Sequence, residues 1–337
     1  MTALLSAGLA LAEHGLVPTP ILRRAIRGLC DDRLDELKTA GGLDRFVATI
    51  EGAPIAPVPD QANAQHYEVA SEFFALVLGR QLKYSSCFFG PGVATLDAAE
   101  EAMLALTCER AMLEDGQDIL ELGCGWGSLS LYLARRYPRS RIVAVSNSFR
   151  QRAFIEARML PNLEVRTADM NRFAPGRQFD RIVSVEMFEH MRNWPTLLGR
   201  VATWLQPAGR LFVHVFCHAR EAYPFETEGT DNWMGKYFFS GGMMPAYDLV
   251  PRVAPASLRL EERWWVDGTH YQRTAAAWRR NQESRRDEVM AVLRTHYGRG
   301  AGRWYQRWRM FFLACEELFG YRGGAEWGVG HYRLVRR

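Results

Sequence analysis

The stretch Ile119-Leu-Glu-Leu-Gly-Cys-Gly-Trp-Gly127 decides the fold. Its apolar half ends at Leu122, and glycines follow at positions 123, 125 and 127. Glycine tolerates positive φ, so this spacing predicts a tight strand-to-helix turn in which a nucleotide lies against the backbone and near the amides of the next helix. In the dinucleotide-binding pattern the last two glycines are three residues apart, so that pattern is not met. A tight turn without any ligand is the alternative.

Short apolar runs alternate with amphipathic segments after residue 117. This alternation is typical of a parallel sheet with helices on both faces. Five strands and two runs that complete the sheet are predicted at 118–122, 141–145, 163–166, 179–185 and 210–216, and near 258–266 and 328–335. The sequence therefore predicts a Rossmann-like α/β fold with a mostly parallel seven-stranded sheet.

The residues before this sheet predict a separate helical segment. Residues 20–27 open a basic amphipathic run, and residues 68–82 have a helical period. The linker Ala53-Pro-Ile-Ala-Pro-Val-Pro59 separates them, because three prolines in seven residues fit neither a helix interior nor a central strand. We therefore predict a helical N-terminal cap over residues 1–83, followed by the nucleotide-binding domain at 84–337.

Composition and charge argue against several classes of protein. Hydrophobic residues make up 48% of the chain and charged residues 24%, as in ordinary soluble globular proteins. The net charge of +4 gives little support for a nucleic-acid partner. Six cysteines show no C-x-x-C pattern, and the apolar start up to Val17 is a poor signal peptide and too short to span a bilayer. We expect a cytoplasmic protein without stable membrane insertion.

Polar residues follow the first two predicted strands. Glu121, beside the glycines, suits a ligand that carries a cationic amino group and no phosphate, and S-adenosylmethionine is such a ligand. Asn147 and Gln151 follow the second strand, where Rossmann folds bind the ribose, and amide groups can donate to or accept from its hydroxyls. Helix capping by Ser146 or Asn147 is the alternative, and the two roles are compatible.

Asp169 and Met170 follow the third strand. The carboxylate could accept a hydrogen bond from the adenine amino group, and the thioether could pack on its ring. A loop aspartate is also a common turn residue, which is the alternative. We favour cofactor binding because the topology brings this loop to the same crevice.

The fourth and fifth strands end in ionisable residues. If a helical turn begins at Glu186, then Glu189 and His190 follow at i+3 and i+4 and share its face. The alternative is acids favoured by a helix N-terminus together with a surface histidine. His214 and His218 lie on one face of the fifth strand, and a buried core histidine is the alternative for His218. A zinc site is disfavoured, because no thiol spacing supports it and methyl transfer from a sulfonium needs no metal. We expect none.

The chain resembles the coclaurine N-methyltransferase family, which belongs with the cyclopropane-fatty-acyl-phospholipid synthases. Besides 119–127, the stretches that carry the resemblance are 62–69, 82–89, 186–191, 211–218, 237–245 and 311–321. The resemblance covers nearly the whole chain from about residue 53. It implies a class I methyltransferase fold, S-adenosylmethionine as methyl donor and a small amine substrate that is secondary, aryl-alkyl or tetrahydroisoquinoline-like.

The resemblance also implies roles for individual residues. The cofactor-contacting positions of the family match Tyr84, Ser85, Gly123, Asn147, Gln151, Asp169 and Met170, and Gly125 and Glu121 join them from the turn itself. The catalytic positions match Glu186, Glu189 and His190, to which we add His214. Trp327 matches an aromatic wall of the amine pocket. In the lipid-modifying branch a tyrosine before the C-terminal cysteine helps hold a bicarbonate base, and the position that matches it here is taken as Phe311, before Cys315. That difference argues against cyclopropanation.

An insertion at about 217–256 is rich in aromatic residues and glycines. Long loops inside compact domains are usually functional, so we predict that it covers the substrate. The predicted pocket residues are Tyr223, Trp233, Phe238 and Trp327.

These residues lead to one mechanistic hypothesis. His190 is the base, Glu189 orients it, and Glu186 attracts the ammonium form of the amine. A lipid-methylating or cyclopropanating enzyme, a nucleic-acid methyltransferase and an inactive cofactor-binding subunit remain as alternatives. A homodimer paired through the cap is left open.

Overall fold

The computed structural model describes residues 2–58, 71–229 and 232–337. Its strands are β1 (Asp118–Leu122), β2 (Arg141–Ser146), β3 (Leu163–Thr167), β4 (Phe179–Val185), β5 (Leu205–His218), β6 (Tyr223–Pro224), β7 (Met243–Met244), β8 (Leu258–Val266) and β9 (Trp327–Arg336). Seven of these described strands form one sheet in the order β3-β2-β1-β4-β5-β9-β8. The pairs from β3 to β5 are parallel, and β9 runs antiparallel to both β5 and β8. The predicted mostly parallel seven-stranded sheet is confirmed.

Helices cover both faces of this sheet. They are α1 (Thr2–Glu13), α2 (Thr19–Leu37), α3 (Gly42–Ile50), α4 (Ser71–Val77), α5 (Leu96–Arg110), α6 (Ser128–Arg136), α7 (Phe149–Glu156), α8 (Trp194–Trp204), α9 (Trp233–Tyr237), α10 (Leu249–Val253), α11 (Gly268–Ser284), α12 (Arg286–Tyr297) and α13 (Ala301–Gly320). Short 3₁₀ turns occupy Phe188–His190, Gly298–Gly300 and Tyr321–Gly324. The central strands β1 and β2 are buried along almost their whole length, which explains their continuous apolar sequence.

The predicted N-terminal cap contains α1 to α4 in its described part. Residues 59–70 lie outside the described residues, and with them the motif at 62–69 and part of the helix predicted at 68–82. The first two helices pack on α13 through a buried cluster of Ala12, Leu22, Met310 and Leu313. Ion pairs flank the cluster and join Arg23 to Glu316 and Glu317, and Arg307 to Glu13. No described helix is long and apolar enough to cross a membrane.

The insertion at 217–256 has more regular structure than its sequence predicts. It contains α9 and α10, and β6 pairs with β7 in a small antiparallel hairpin. Residues 230 and 231 lie outside the described residues. A parallel bridge from His218 to Ala246 ties the insertion back to the end of β5.

Candidate active site

An open cavity lies at the carboxyl ends of β1, β2 and β4. In open α/β sheets this edge is where ligands bind. The predicted site residues on its wall are Gly123, Gly125, Asn147, Gln151, Asp169, Met170, Glu186 and His190. The other predicted site residues do not line it.

The glycine turn has the backbone that its spacing predicts. Gly123, Gly125 and Gly127 have φ values of +83°, +51° and +84°. A Cβ at position 123 would collide with Met187, and one at 127 with Ile155, whereas none of the surrounding atoms lies within 4 Å of a Cβ at 125. Gly125 therefore leaves the floor of the cavity open to a ligand.

Gln151 presents a polar group to the cavity. Its Oε1 accepts a hydrogen bond from the Ser146 hydroxyl at 2.5 Å. Its Nε2 is buried and has no hydrogen-bond partner among the described residues. The cap of α7 is Ser148, whose hydroxyl accepts from the backbone N–H of Gln151, rather than Ser146 or Asn147. A buried amide donor without a partner fits a cofactor that brings an acceptor, such as a ribose hydroxyl.

Asp169 has a structural contact as well as a place on the cavity wall. Its Oδ1 accepts from the backbone and side-chain amides of Asn171, at 2.9 and 3.0 Å. Asn171 in turn exchanges two hydrogen bonds with the backbone of Ala56, both 2.9 Å. The loop after β3 therefore holds the proline-rich linker beside the cavity.

Glu121 does not reach the cavity. Its side chain is 2% exposed and accepts a hydrogen bond from the Ser130 hydroxyl on α6. Burial raises the pKa of Glu121 to about 7. The carboxyl turns back under the glycine turn and links β1 to α6, so it does not face the cavity where its contact with the cofactor was predicted.

Tyr84 and Ser85 also lie behind the cavity wall. The Tyr84 ring packs against Phe74 and Trp278, with centroids 5.1 and 5.5 Å away. Ser85 is buried and accepts from the ammonium of Lys83, which also donates to the Ser86 carbonyl. In their described contacts, residues 83–86 pack outside the cavity and do not line it.

Glu186 accepts three hydrogen bonds through its side chain on the cavity wall. Its backbone has a φ of +47°, which is rare for a residue other than glycine and turns the chain sharply at the end of β4. Its Oε1 accepts from the Ser86 backbone N–H at 2.9 Å and from His214 Nε2 at 3.2 Å. Its Oε2 accepts from the Tyr271 hydroxyl at 2.8 Å. The sequence did not indicate Ser86 or Tyr271, which lie 100 and 85 residues away in the chain.

Glu189 points away from the cavity, so the predicted shared face is wrong for this residue. Residues 188–190 form a 3₁₀ turn, and Glu189 Oε1 accepts from the Phe216 backbone N–H at 2.7 Å. Its Oε2 is buried without a partner among the described residues. Burial and the neighbouring Glu186 raise the pKa of Glu189 well above its usual value.

The two carboxyl groups therefore divide their roles. Burial also raises the pKa of Glu186, but Lys83 and the hydrogen bonds from Ser86 and Tyr271 oppose that effect. Because those donors stabilise the anion at Glu186 and only one backbone donor does so at Glu189, we infer that Glu186 ionises first and Glu189 carries the proton.

His190 faces the cavity and stacks on Phe239, with the ring centroids 5.7 Å apart and the planes 16° apart. Burial lowers the pKa of His190 to about 4, against a smaller opposing effect of Glu186. The imidazole is therefore neutral at pH 7.

The predicted pocket residues lie in the core instead of on the cavity wall. Tyr223, Phe238 and Trp327 are buried, the Trp327 indole donates to the Tyr223 hydroxyl at 3.0 Å, and Phe238 stacks on Phe311 at 4.3 Å. Trp233 is half-buried and donates to Glu13 on α1. The aromatic ring that stacks on His190 is instead that of Phe239, which packs with Phe216 and Phe225.

Phe311 does not mark the position of a lost tyrosine in the site. It packs inside the aromatic core, whereas Tyr271 from α11 reaches the carboxyl cluster. The difference at position 311 therefore carries no argument against cyclopropanation.

His218 is a buried core histidine, which was the alternative given for it from the sequence. It is 1% exposed, and its Nδ1 accepts from the backbone N–H groups of Arg220 and Glu221, at 3.3 and 2.8 Å. Within the described residues, no group of three or more histidine, cysteine or acidic side chains could hold a metal ion.

Comparison with known proteins agrees with this fold. Residues 58–324 match the family model of mycolic acid cyclopropane synthetase. The (S)-coclaurine N-methyltransferase of Thalictrum flavum subsp. glaucum is 34% identical, in an alignment that covers 96% of this chain and 94% of that protein. The cyclopropane-fatty-acyl-phospholipid synthase of Escherichia coli (strain K12) is 31% identical, over 64% of this chain and 54% of that protein.

A solved structure matches almost the whole chain. The crystal structure of coclaurine N-methyltransferase bound to N-methylheliamine and S-adenosylhomocysteine superposes with a TM-score of 0.93 at 32% identity, and covers 98% of this chain and 99% of its own. The resemblance inferred from the sequence motifs is confirmed. The chain belongs to the family of coclaurine N-methyltransferases and cyclopropane synthases, and is an S-adenosylmethionine-dependent methyltransferase of the class I fold.

Proposed function

We propose that this enzyme transfers the methyl group to the nitrogen of a small secondary amine, of the aryl-alkyl or tetrahydroisoquinoline class. One observation carries the proposal: a hydrogen-bonded carboxylate, Glu186, and a neutral imidazole, His190, lie on the wall of the same cavity as the predicted cofactor residues. S-adenosylmethionine, when bound, supplies an electrophilic methyl group on a sulfonium sulfur.

Glu186 binds the amine in its charged form. An alkylamine has a pKa near that of lysine, about three units above neutral pH, so it arrives as an ammonium ion. The carboxylate attracts this cation, and its contacts with Ser86, His214 and Tyr271 hold it in one orientation.

His190 then removes a proton from the ammonium. Presenting the free lone pair at pH 7 costs roughly 4 kcal/mol for such an amine. A positioned base gives the proton a direct route away from the nitrogen, which speeds its transfer. The neutral imidazole takes the proton, and the Glu186 anion stabilises the imidazolium. The nitrogen lone pair forms the new bond to the methyl carbon while the carbon–sulfur bond breaks, and the electron pair stays on sulfur. Glu189, buried behind the turn, fixes this segment through the Phe216 backbone.

Aromatic rings complete the amine side. Phe239 stacks on His190, and Phe216 and Phe225 pack around Phe239. Aromatic faces attract cations and exclude water, and both effects favour an ammonium substrate.

We extend the proposal to the surroundings of the enzyme. We propose that it works in the cytoplasm, because its six cysteines are buried free thiols. We also propose a boundary between a cap at 1–83 and a methyltransferase domain at 84–337. A homodimer is a further proposal.

A labelled-methyl assay tests the function. Purified enzyme receives methyl-labelled S-adenosylmethionine with either a panel of secondary aryl-alkyl amines or vesicles of unsaturated phospholipid. We expect label in an amine and none in lipid. Label in lipid alone would replace the proposal with the phospholipid-modifying alternative, which the Escherichia coli relative and Tyr271 in the cluster keep open.

A further inference from the structure

A chain of hydrogen bonds connects Glu186 with the C-terminal end of α5. His214 Nε2 lies 3.2 Å from Glu186 Oε1, His331 Nε2 lies 2.8 Å from His214 Nδ1, and Arg110 Nη1 lies 2.7 Å from His331 Nδ1. The two histidines face each other in register on β5 and β9, and both are fully buried. Only Glu186 of these four groups lines the cavity.

Arg110 sets the direction of this chain. A guanidinium can only donate, so His331 Nδ1 must accept and the ring proton of His331 must sit on Nε2. His331 then donates to His214 Nδ1, which places the proton of His214 on Nε2, facing the Glu186 carboxylate. No other pair of tautomers satisfies all three contacts, and a second proton on either ring would place two donors face to face.

We propose that Arg110, His331 and His214 form a hydrogen-bond chain of fixed direction that orients Glu186 for the amine, and that all three are positioning residues. The inference rests on the proposed function of Glu186 in binding the ammonium substrate. Both nitrogens of His214 are occupied, one accepting and one donating, so His214 is not the base. The assignment of His214 to the catalytic residues is corrected in this way, and His190 keeps the role.

Arg110 also places a positive charge at the far end of the chain. Among the described residues it forms no ion pair, and its guanidinium lies over the Trp264 ring at 4.8 Å from the centroid. Burial lowers the pKa values of His214 and His331 well below the usual range, in agreement with two neutral rings.

Other ionisable groups surround Glu186 and bear on any pH dependence. They are Lys83, Cys87, Glu189, His190, Tyr271 and Cys315. The test therefore compares variants that leave all six of these groups unchanged.

Two variants break the chain at different points. Arg110→Met removes the terminal donor. His331→Met removes the link, whereas His331→Gln retains an acceptor and a donor. We expect Arg110→Met and His331→Met to raise the KM for the amine about tenfold, with kcat changed by less than about threefold, because they weaken ground-state binding. The acidic limb of kcat/KM should move to higher pH, because the His214 donor is no longer held toward Glu186 and a carboxylate with a weaker donor has a higher pKa. His331→Gln should restore most of the KM.

Arg181→Met is the matched control. Arg181 is also half-buried and donates to backbone carbonyls, of Met112 and Asp180, but has no contact with the chain. Equal KM and pH profiles for Arg110→Met and Arg181→Met would overturn the proposal, as would a His331→Gln enzyme no better than His331→Met.

A second measurement does not depend on the substrate. In ¹⁵N-histidine-labelled wild-type enzyme, we expect NMR to show His214 and His331 with protonated Nε2 and bare Nδ1 from pH 8 down to pH 5.5. The two single variants His214→Asn and His331→Gln assign the signals. If no amine is methylated, the proposed function fails while this spectrum still reports the chain. A proton on Nδ1 of either ring would overturn the chain itself.

Discussion

The cofactor side and the amine side of the cavity are built in different ways. The cofactor side is made of the turns after β1, β2 and β3, and its features are backbone conformation and short polar side chains. The amine side gathers around Glu186, whose side chain accepts hydrogen bonds from three separate segments, at Ser86, on β5 and on α11. A fourth segment, β9, acts indirectly, because His331 bonds to His214. A binding feature formed by consecutive residues can be recognised in a short stretch of sequence, whereas one assembled from distant segments cannot.

The largest expected effect comes from removing the proposed general base, His190, on the amine side. His190→Ala should lower kcat by about 10²- to 10⁴-fold, because a positioned general base typically contributes that much. The affinity for S-adenosylhomocysteine, measured by calorimetry, should not change. His296→Ala on α12 is the control and should leave kcat unaltered. A loss of less than about threefold for His190→Ala would remove His190 from the role of base.

The sequence predicted the cofactor side well for a physical reason. The spacing of Gly123, Gly125 and Gly127 indicates positive φ directly. Parallel strands then bring Gln151 and Asp169 to the same edge of the sheet, at the carboxyl ends of the strands. Three predicted cofactor residues are exceptions, because Tyr84, Ser85 and Glu121 do not line the cavity. For Glu121 the reason is that an acidic residue at a strand end can turn either outward to a ligand or inward to a hydroxyl such as that of Ser130.

The amine side was predicted only in part. Glu186 and His190 were found because they follow β4, but Tyr271 and Lys83 were missed because their partners are far away in the chain. One signal was available for His331. A histidine inside the apolar run predicted at 328–335, on a strand that completes the sheet, indicates a buried polar partner on the neighbouring strand, and that partner is His214.

The aromatic residues were misplaced because composition does not reveal orientation. Phe238 and Phe239 are neighbours in the insertion, yet Phe238 is fully buried against Phe311 and Phe239 stacks on His190. Aromatic richness predicted a substrate cover at 217–256, but the packing of α9 on α13 decides which ring faces the site.

Variants of these two neighbours have effects of intermediate size and distinguish a ring beside the site from a ring in the core. Phe239→Ala should raise the amine KM by about 2- to 30-fold, the range expected for loss of a cation–π contact, with little change in unfolding free energy. Phe238→Ala should instead destabilise the fold by about 3–5 kcal/mol, because it opens a cavity in the core. Steady-state kinetics and chemical denaturation of both variants separate the two outcomes. A higher KM for Phe238→Ala than for Phe239→Ala in folded enzyme would return Phe238 to the pocket.

The smallest expected effect concerns Glu121 on the cofactor side, and it is first measured as a change in stability with pH. Its pKa is about 7 in the folded enzyme and near 4.5 when exposed, so the stability it contributes is complete below pH 4.5 and is lost as the pH rises through 7. Wild-type enzyme should lose at most about 3 kcal/mol from this group between pH 4.5 and pH 8. Glu121→Gln stays neutral, and its amide oxygen can still accept from Ser130, so it should be more stable than wild type at pH 8 and not at pH 5 in denaturant titrations.

Cofactor affinity then distinguishes a buried link from a ligand contact. Glu121→Gln should leave the Kd for S-adenosylhomocysteine unchanged, since the carboxyl lies behind the turn, whereas the comparison variant Gln151→Leu should raise it about tenfold by removing a donor from the cavity wall. A tenfold weaker Kd for Glu121→Gln would mean that Glu121 turns toward the cofactor when it binds, and the cofactor side would then depend on side-chain rearrangement as well as on backbone conformation.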